Sequence, residues 1–188
     1  MKKLFALILF ALLFSPSVSR ADDSEESSST FNDLFTTWTG NIKKTWNCPD
    51  NFDIHVPVNI WHNRFFYDDA SKYNEEPWGL GAGVSRFDED GDWHGLYFMG
   101  FKDSNSYLQT IFGYAYQKNW YFGEGKDWFA GVGFTTALTQ REEYAYIPVP
   151  LPLPIAGFGY KNFSVQSAYV PGVSDYGNVL FTWLKASF

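Results

Sequence analysis

The last twelve residues, Gly177 to Phe188, alternate in a way that predicts a β-strand with two different faces. One face is small or apolar throughout and consists of Leu180, Thr182, Leu184, Ala186 and Phe188. The other is apolar in its first half and polar in its second, and consists of Val179, Phe181, Trp183, Lys185 and Ser187. Strands of ordinary membrane barrels place polar residues inward along their whole length. This strand therefore predicts a barrel with an apolar half-lumen that suits a hydrocarbon chain.

Seven further stretches after His55 have the length and alternation of strands. The eight predicted strands lie at about 55–67, 78–87, 92–102, 107–119, 127–140, 152–159, 162–171 and 177–188. Short turns alternate along the chain with longer or proline-bearing loops. Because membrane barrels have short periplasmic turns and longer extracellular loops, an even strand count places both chain ends in the periplasm.

The N-terminus has the pattern of a secretory signal peptide. Lys2 and Lys3 precede an apolar run from Leu4 to Phe14, and the small residue Ala21 offers a cleavage site. The run is shorter than the roughly 20 apolar residues of a spanning helix. We therefore predict a signal peptide at 1–21, a polar leader at 22–30 and one domain at 31–188, with its barrel at about 55–188.

An amphipathic helix is predicted at about 31–46, where apolar residues recur at helical spacing. These residues are Phe31, Leu34, Phe35, Trp38, Ile42 and Trp46. Such a helix suits a membrane interface, although packing on a soluble core is the alternative. Beside eight strands in a secreted chain, we favour the interface. The predicted fold class is all-β, an eight-stranded antiparallel transmembrane β-barrel with an N-terminal amphipathic helix.

Charge and composition narrow the possible partners. Removing the signal peptide leaves 11 of the 14 basic residues against 21 acidic ones, which argues against nucleic acid. The aromatic content of 21% fits girdles at two membrane interfaces, although an aromatic-rich soluble β domain would look similar. The single cysteine, Cys48, has no partner for an internal disulfide, and we interpret it as a passive residue.

Two local patterns in the predicted strands have alternative interpretations. Gly79, Gly81 and Gly83 share one face, where they either keep lumen space free or relieve crowding. Prolines alternate from Pro148 to Pro154 at the start of a predicted strand. Because each proline lacks an N–H donor, this edge is predicted to leave a lateral gap through which a lipid tail could enter, rather than only to stiffen a loop.

One histidine lies near the predicted extracellular rim together with an acid and an alcohol. His62 lies toward the outer mouth on the first predicted strand, and Asp103 and Ser104 follow the third. They supply a base, an orienting or charge-stabilising acid and a hydroxyl, although Asp-Ser alone is commonly only a turn. The sequence has no Gly-x-Ser-x-Gly, His-Glu-x-x-His or paired-cysteine motif. We predict neither a metal nor a cofactor.

Several segments together resemble the outer-membrane lipid A palmitoyltransferases of the PagP type. The most specific are Ile60-Trp-His-Asn-Arg-Phe65 and Phe101-Lys-Asp-Ser104. The others are Tyr73-Asn-Glu-Glu-Pro-Trp-Gly79, Ser85-Arg86 with Asp88 and Gly91, Trp93-His-Gly-Leu-Tyr97, Tyr146-Ile-Pro148, Tyr169-Val-Pro-Gly172 and Gly177-Asn-Val179. The similarity covers essentially the whole mature chain.

The resemblance implies an activity and a site. Enzymes of this family transfer palmitate from the sn-1 position of a glycerophospholipid to the hydroxymyristoyl chain of lipid A. It implies His62, Asp103 and Ser104 as catalytic residues, and Lys72 and Arg141 as contacts to lipid A. It implies lateral lipid openings at prolines matching Pro57, Pro77, Pro154 and Pro171. It also implies a Gram-negative outer membrane location, with the active site facing the cell exterior.

The acyl pocket predicted from the strand patterns and the resemblance is lined by Gly79, Gly81, Gly83, Ile111, Gly113, Ala115, Val179, Phe181 and Trp183. In the best-known family members a glycine forms the pocket floor and measures acyl length. Ala115 occupies the matching position here. Its extra methyl is expected to raise the floor and to favour a shorter chain.

The leading hypothesis is thus a lipid A acyltransferase with a phospholipid donor. An outer-membrane phospholipase, with water replacing lipid A, is the second. A non-enzymatic structural or lipid-binding barrel is the third, but a structural barrel predicts a polar lumen, which Val179, Phe181 and Trp183 contradict. The sequence leaves the oligomeric state open, and a monomer is compatible with it.

Overall fold

A computed structural model describes residues 24–172 and 177–188 of the chain. The predicted signal peptide, residues 1–21, lies outside the described residues. The helix α1 spans Ser24–Asn47 and therefore begins within the segment predicted as a polar leader. Its last turn carries Lys44, which opposes the negative end of the helix dipole, and Pro49 follows closely. The aromatic residues Phe31 and Phe35 stack along the helix and are mostly exposed.

The rest of the described chain is a closed antiparallel barrel of eight strands, as predicted. The strands are β1 Asn51–His62, β2 Gly79–Phe87, β3 Trp93–Lys102, β4 Leu108–Phe122, β5 Trp128–Gln140, β6 Val149–Tyr160, β7 Phe163–Val170 and β8 Val179–Ser187. Short 3-10 turns occur at Ala70–Lys72 and Glu142–Tyr144. The first strand begins and ends about four residues earlier than predicted, so His62 is its last residue.

The two ends of the barrel differ in their connections. We call the end with the connections 63–78, 103–107, 141–148 and 171–178 the loop end. The other end, with connections 88–92, 123–127 and 161–162, is the turn end. Large apolar side chains cover the outer wall, among them Val56, Leu80, Phe98, Phe112, Val132, Phe158 and Leu184. No helix in the described residues is long and apolar enough to cross a membrane.

The lumen has two layers, which confirms the pattern of the last strand. Near the turn end most buried residues are polar, among them Asp53, Ser85, Gln117, Asn119, Gln166, Lys185 and Ser187, and Trp93 is a buried apolar residue there. Toward the loop end they are apolar, namely Ile60, Met99, Phe101, Ile111, Ala137, Leu153 and Trp183. A hydrogen bond of 2.7 Å joins the hydroxyls of Tyr97 on β3 and Thr135 on β5, which flank β4 in the barrel.

The hydrogen-bonded ladder is incomplete at two places toward the loop end. β1 pairs with β2 only from Asn51 to His55, although β1 continues to His62 along β8. We call this the β1–β2 interruption. β6 pairs with β7 only from Ile155 to Tyr160, although β6 starts at Val149 along β5. We call this the β6–β7 interruption.

Prolines explain the second interruption. Alternate residues of a strand direct their N–H groups to the same neighbour. Pro150, Pro152 and Pro154 lie at alternate positions of β6, so all three missing donors fall on one side. Because β6 stays paired with β5 over this stretch, that side is the one facing β7. Pairing with β7 starts at Ile155, directly after the last of these prolines.

The glycine row on β2, at Gly79, Gly81 and Gly83, fits the second of its two interpretations, relief of crowding between strands. A Cβ at Gly79 would lie 2.4 Å from that of Phe101, and one at Gly81 would lie 2.3 Å from a side-chain carbon of Met99. One at Gly83 would lie 2.4 Å from the carbonyl oxygen of Leu96. The glycines therefore let β3 approach β2 closely instead of widening the lumen.

Candidate active site

His62 is the centre of a polar cluster at the loop end. Its side chain is 1% exposed, at the last position of β1. The ring Nε2 lies 3.0 Å from Ser104 Oγ, and the ring Nδ1 lies 3.2 Å from Glu75 Oε1. The backbone N–H of His62 also donates to Glu75 Oε1 at 3.1 Å. Two of the three predicted catalytic residues, His62 and Ser104, are therefore in contact.

Two connections join to place Ser104 beside His62. The backbone N–H of Asn74 donates to the carbonyl of Ser104 at 2.7 Å. The Asn74 side-chain amide donates to the carbonyl of Asp103 at 3.1 Å. Asn74 therefore ties the 63–78 connection to the 103–107 connection. The two connections meet because β2 pairs with β3, with Gly79 at the start of β2 opposite Phe101 near the end of β3.

Two tyrosine rings fix the plane of the His62 imidazole. Tyr73 stacks on it at a centroid distance of 4.9 Å and an angle of 24°. Tyr67 packs edge-on at the same distance and 81°. The Tyr67 hydroxyl donates to the carbonyl of Gly177, which tethers this packing to the segment before β8. With the ring held on both sides, its two nitrogens can point only at Ser104 and Glu75.

Asp103 does not serve as the hydrogen-bond partner of His62, contrary to one of the two roles expected for it. Its Oδ1 accepts the backbone N–H groups of Asn105 at 2.8 Å and Tyr107 at 3.0 Å. Its Oδ2 accepts Nε and a terminal nitrogen of Arg141 at 3.3 and 3.2 Å. Asp103 is thus occupied in shaping the 103–107 turn and in holding Arg141, and Glu75 takes the position on His62.

Glu75 is held by a bidentate contact with Arg64. The two terminal nitrogens of Arg64 donate to the two carboxylate oxygens at 2.7 and 2.8 Å. The Arg64 guanidinium, helped by the donors of His62, lowers the pKa of the Glu75 carboxyl to about 2. Burial acts in the opposite direction but is outweighed. Glu75 is therefore ionised between about pH 4 and 9. An ionised carboxylate acts only as a hydrogen-bond acceptor.

The two residues expected to contact lipid A are both at the loop end. Lys72 is 73% exposed and forms a 3.5 Å ion pair with Asp69 in the same connection. Arg141 is more enclosed and lies between Asp103 and Glu143. A cavity of ≈ 710 Å³ is lined by residues of the first connection, among them Tyr67, Tyr73 and Glu75, which contact His62. In the described residues, no cluster of His, Cys, Asp and Glu could hold a metal ion.

The predicted acyl-pocket residues lie along the apolar part of the lumen. Phe181 stacks on Phe101 at 4.7 Å and on Trp183 at 5.4 Å. Ile111 and Ala115 belong to the same buried cluster, with Val179 packed against it. Gly113 allows a close approach of β5, because a Cβ there would lie 2.7 Å from that of Ala137. Ala115 pairs with Thr135, which places it at the boundary with the polar layer.

The four expected gate prolines lie at the ends of the two interruptions. Pro57 stands where the β1–β8 register shifts, two residues after the last β1–β2 pair. Pro77 is fully buried just before β2. Pro154 immediately precedes the first β6–β7 pair, and Pro171 immediately follows β7. Each interruption is thus flanked by two of the four.

Sequence reasoning missed the residues that surround His62, above all Glu75. The segment from Tyr73 to Gly79 entered the family resemblance, but no role was assigned to its acids. A histidine and a carboxylate 13 residues apart across a loop form no recognisable motif. The available signal was weak: Arg64 follows His62 by two positions and needs a carboxylate partner.

Comparison with known proteins gives one consistent result. Residues 41–185 match the sequence model of the family described as "Antimicrobial peptide resistance and lipid A acylation protein PagP". The chain is 44% identical to the lipid A acyltransferase PagP of Serratia proteamaculans over 183 residues, which cover 96% of this chain and 93% of the relative. It is 42% identical to that of Salmonella typhimurium over 187 residues, 98% of this chain and 94% of the relative. The protein of that name from Pectobacterium carotovorum is 48% identical over 147 residues, 77% and 69% of the two chains.

Proposed function

Because the chain belongs to the PagP family of lipid A acylation proteins, we propose that it transfers a palmitoyl-type chain from the sn-1 position of a glycerophospholipid to the hydroxyacyl chain of lipid A. Its relatives and its barrel make it an acyltransferase enzyme. Lipid A is the acceptor that the family implies. The observation that carries the proposal is the 3.0 Å contact between His62 and Ser104 at the end of an apolar lumen.

The chemistry begins with a proton transfer to His62. Its Nε2 faces a hydroxyl and removes that proton as the oxygen attacks the ester carbonyl of the donor. The ester C–O bond then breaks, and the departing lysophospholipid oxygen takes the proton back from Nε2. The attacking oxygen belongs either to Ser104, giving an acyl-enzyme that the lipid A hydroxyl resolves, or to lipid A itself with Ser104 orienting it. Asp103 supports either route by holding the 103–107 turn that carries Ser104.

The acyl chain occupies the apolar part of the lumen in this proposal. Burial of each methylene against Phe181, Ile111 and Trp183 contributes about 0.8 kcal/mol. The chain would end where the lumen becomes polar, at the level of Ala115 and Thr135, because hydrocarbon gains nothing by burial against unmatched polar groups. Ala115 then acts as the floor and favours a chain shorter than a glycine at that position would take.

Both lipids reach the site from the bilayer through the two interruptions. A lipid tail cannot pass a fully hydrogen-bonded barrel wall, since a closed ladder has no edge. The β1–β2 interruption, flanked by Pro57 and Pro77, and the β6–β7 interruption, flanked by Pro154 and Pro171, offer such passages. Lys72, with its exposed amine, and Arg141 then contact the phosphates of lipid A.

The proposed location is the Gram-negative outer membrane, with the loop end outside. Short turns on the periplasmic side and long connections on the exterior are the usual arrangement of such barrels. This orientation places His62 in the outer leaflet, where lipid A resides. Phospholipase activity is the second candidate, and the open cavity lined by Tyr67, Tyr73 and Glu75, which contact His62, favours it because water enters the first connection there.

The decisive experiment measures acyl transfer from labelled phosphatidylethanolamine to lipid A in detergent micelles. Wild type, His62→Ala and Ser104→Ala are assayed side by side after the fold of each barrel is verified. We expect acylated lipid A from wild type and a fall of at least about 100-fold for both variants. Free fatty acid without acylated lipid A would establish a phospholipase instead. Absence of turnover from folded wild type would leave a structural or lipid-binding barrel.

A further inference from the structure

We propose that Glu75 is a positioning residue of the active site, which orients His62 and holds its proton on Nδ1 so that Nε2 is free to act as the base. The inference deepens the proposed acyl transfer, since it concerns the histidine at the centre of that reaction. Glu75, which is held by Arg64, thus has the orienting role that the sequence analysis predicted for Asp103.

The contacts around His62 leave little freedom. Oε1 of Glu75 accepts both the backbone N–H of His62 and its ring Nδ1–H. One oxygen therefore fixes the position of the residue and the rotation of its ring. Tyr73 and Tyr67 prevent the ring from tilting away.

The charge of Glu75 decides where the imidazole proton resides. An ionised carboxylate accepts hydrogen bonds and donates none, so Nδ1 must carry the hydrogen in the 3.2 Å contact. A neutral imidazole carries a hydrogen on only one of its two nitrogens, so Nε2 keeps its lone pair. The 3.0 Å contact with Ser104 consequently runs from the serine hydroxyl to Nε2. This is the direction that proton removal requires.

The β1–β2 interruption makes this arrangement possible. The strand edge of β1 beyond His55 has no β2 partner, and Glu75 occupies part of it. The backbone N–H of Ile60 donates to the Glu75 carbonyl at 3.0 Å, and the Asn59 amide donates there at 3.4 Å. The main chain of Glu75 thus takes the place of a neighbouring strand, and its carboxylate reaches His62 two residues further along.

Glu75 stabilises the histidine as it becomes charged. When Nε2 takes the proton, the positive charge on the ring lies 3.2 Å from a carboxylate oxygen. Arg64 limits this effect because it shares the carboxylate, but it also keeps the carboxylate ionised and in place. The proton itself moves only between the attacking oxygen, Nε2 and the leaving oxygen, and Glu75 keeps its own charge throughout.

The test compares Glu75→Gln with Glu76→Gln, its matched control. Glu76 is the next residue in the same connection, and its side chain is exposed. Steady-state transfer is measured from pH 4 to 9 for both variants and for wild type. The tautomer of His62 is determined by ¹⁵N NMR of histidine-labelled protein in micelles, for wild type as well as for the variants.

We expect Glu75→Gln to lower kcat about 100-fold with KM within about twofold of wild type, since the defect lies in the proton transfer step. The acidic midpoint of its pH–rate profile shifts downward, because the charged imidazole has lost its carboxylate. Its NMR spectrum reports a mixture of tautomers, whereas wild type and Glu76→Gln carry the proton on Nδ1.

Three results would overturn the proposal. One is a wild-type His62 that carries its proton on Nε2, a result that does not depend on folding of any variant. Another is Glu75→Gln with unchanged kcat and pH profile. The third is equal losses for Glu75→Gln and Glu76→Gln, which would mean that the connection is only a structural loop. If wild type transfers no acyl chain at all, the proposed function fails, and the tautomer still decides the role of Glu75.

Discussion

The two interruptions in the barrel wall have the same appearance and different causes. At β6–β7 the cause is local, because three alternating prolines remove every donor that would have faced β7. At β1–β2 the unpaired segment, Val56–His62, contains one proline, and its remaining donors are partly taken up by Glu75. The β6 edge therefore has no N–H donors facing β7, whereas the β1 edge keeps most of its N–H donors and binds a loop through some of them.

The difference connects wall structure to chemistry. A strand edge with intact donors can capture a neighbouring connection, and here that connection delivers a carboxylate to His62. A proline edge has no N–H donors with which to hold a neighbouring connection, and its side chains are apolar, with prolines outward and Leu151 and Leu153 inward. We therefore expect catalysis to depend on the β1–β2 interruption, and the β6–β7 interruption to serve lipid passage alone.

The largest expected effect is the pH dependence of the transfer rate, which should arise at the β1–β2 interruption and not at the β6–β7 interruption. Protonation of His62 removes the base, so transfer should fall about tenfold for each pH unit below the midpoint of its titration. Glu75, with its pKa of about 2, stays ionised across this range, so one proton should account for the whole acidic limb. Initial rates measured in micelles from pH 4 to 8 check this expectation.

A rate that is independent of pH, or a limb that requires two protons, would contradict that assignment. Substitutions along the β6–β7 interruption provide the control, because no titratable group lies on its proline edge. Variants altered there should keep the acidic midpoint of wild type even where their rates differ.

A smaller effect is expected from restoring donors to β6. The triple change Pro150→Val, Pro152→Val and Pro154→Val supplies three N–H groups facing β7 and keeps an apolar outer wall. We expect β6–β7 pairing to extend toward Val149 and transfer to slow by about tenfold, because lipid passage becomes limiting. Amide hydrogen exchange at the three positions and the initial rate are measured together.

Pro148→Val is the matched control, since Pro148 precedes β6 and lies outside the paired stretch. Slow exchange at the new amides with an undiminished rate would show that lipids do not use the β6–β7 interruption. Such a result would leave β1–β2 as the entrance for both donor and acceptor.

The smallest expected effect is a change in the preferred length of the acyl chain, which depends on the depth of the apolar lumen. Removing the methyl of Ala115, which is 3% exposed, should let the Ala115→Gly variant take a longer chain. One methylene of burial is worth about 0.8 kcal/mol, so the preference between donors that differ by one methylene should change about fourfold. Competition between labelled phospholipids of adjacent chain lengths measures this ratio.

Ala168→Gly is the matched control, because Ala168 is equally buried but lies beside Ile155 on the wall between β6 and β7. It should alter the rate without altering the preferred length. An unchanged preference in Ala115→Gly would remove Ala115 as the determinant of chain length.

The strands were predictable because their signal is local. Side chains alternate between lipid and lumen, so each strand appears in the sequence as a period of two, and β2, β3 and β5 lie within one or two residues of their predicted bounds. The β1 bounds were displaced because Phe65, Phe66 and Tyr67 are residue types typical of strands, although the chain leaves the ladder after His62. The glycine row left two interpretations open for a related reason: a missing side chain does not reveal whether space or a neighbouring strand replaces it.

The sequence by itself determined the barrel, its two-layered lumen, the proline edge and the position of His62 and Ser104 at the same end of the barrel. Each of these depends on the type of a residue or on its alternation with near neighbours. Only the tertiary structure decided that Glu75 rather than Asp103 contacts His62, and that Asp103 binds Arg141. The physical reason is that antiparallel pairing of the strands brings three separate connections to one end of the barrel. Which carboxylate meets which cation there depends on distances that no local pattern encodes.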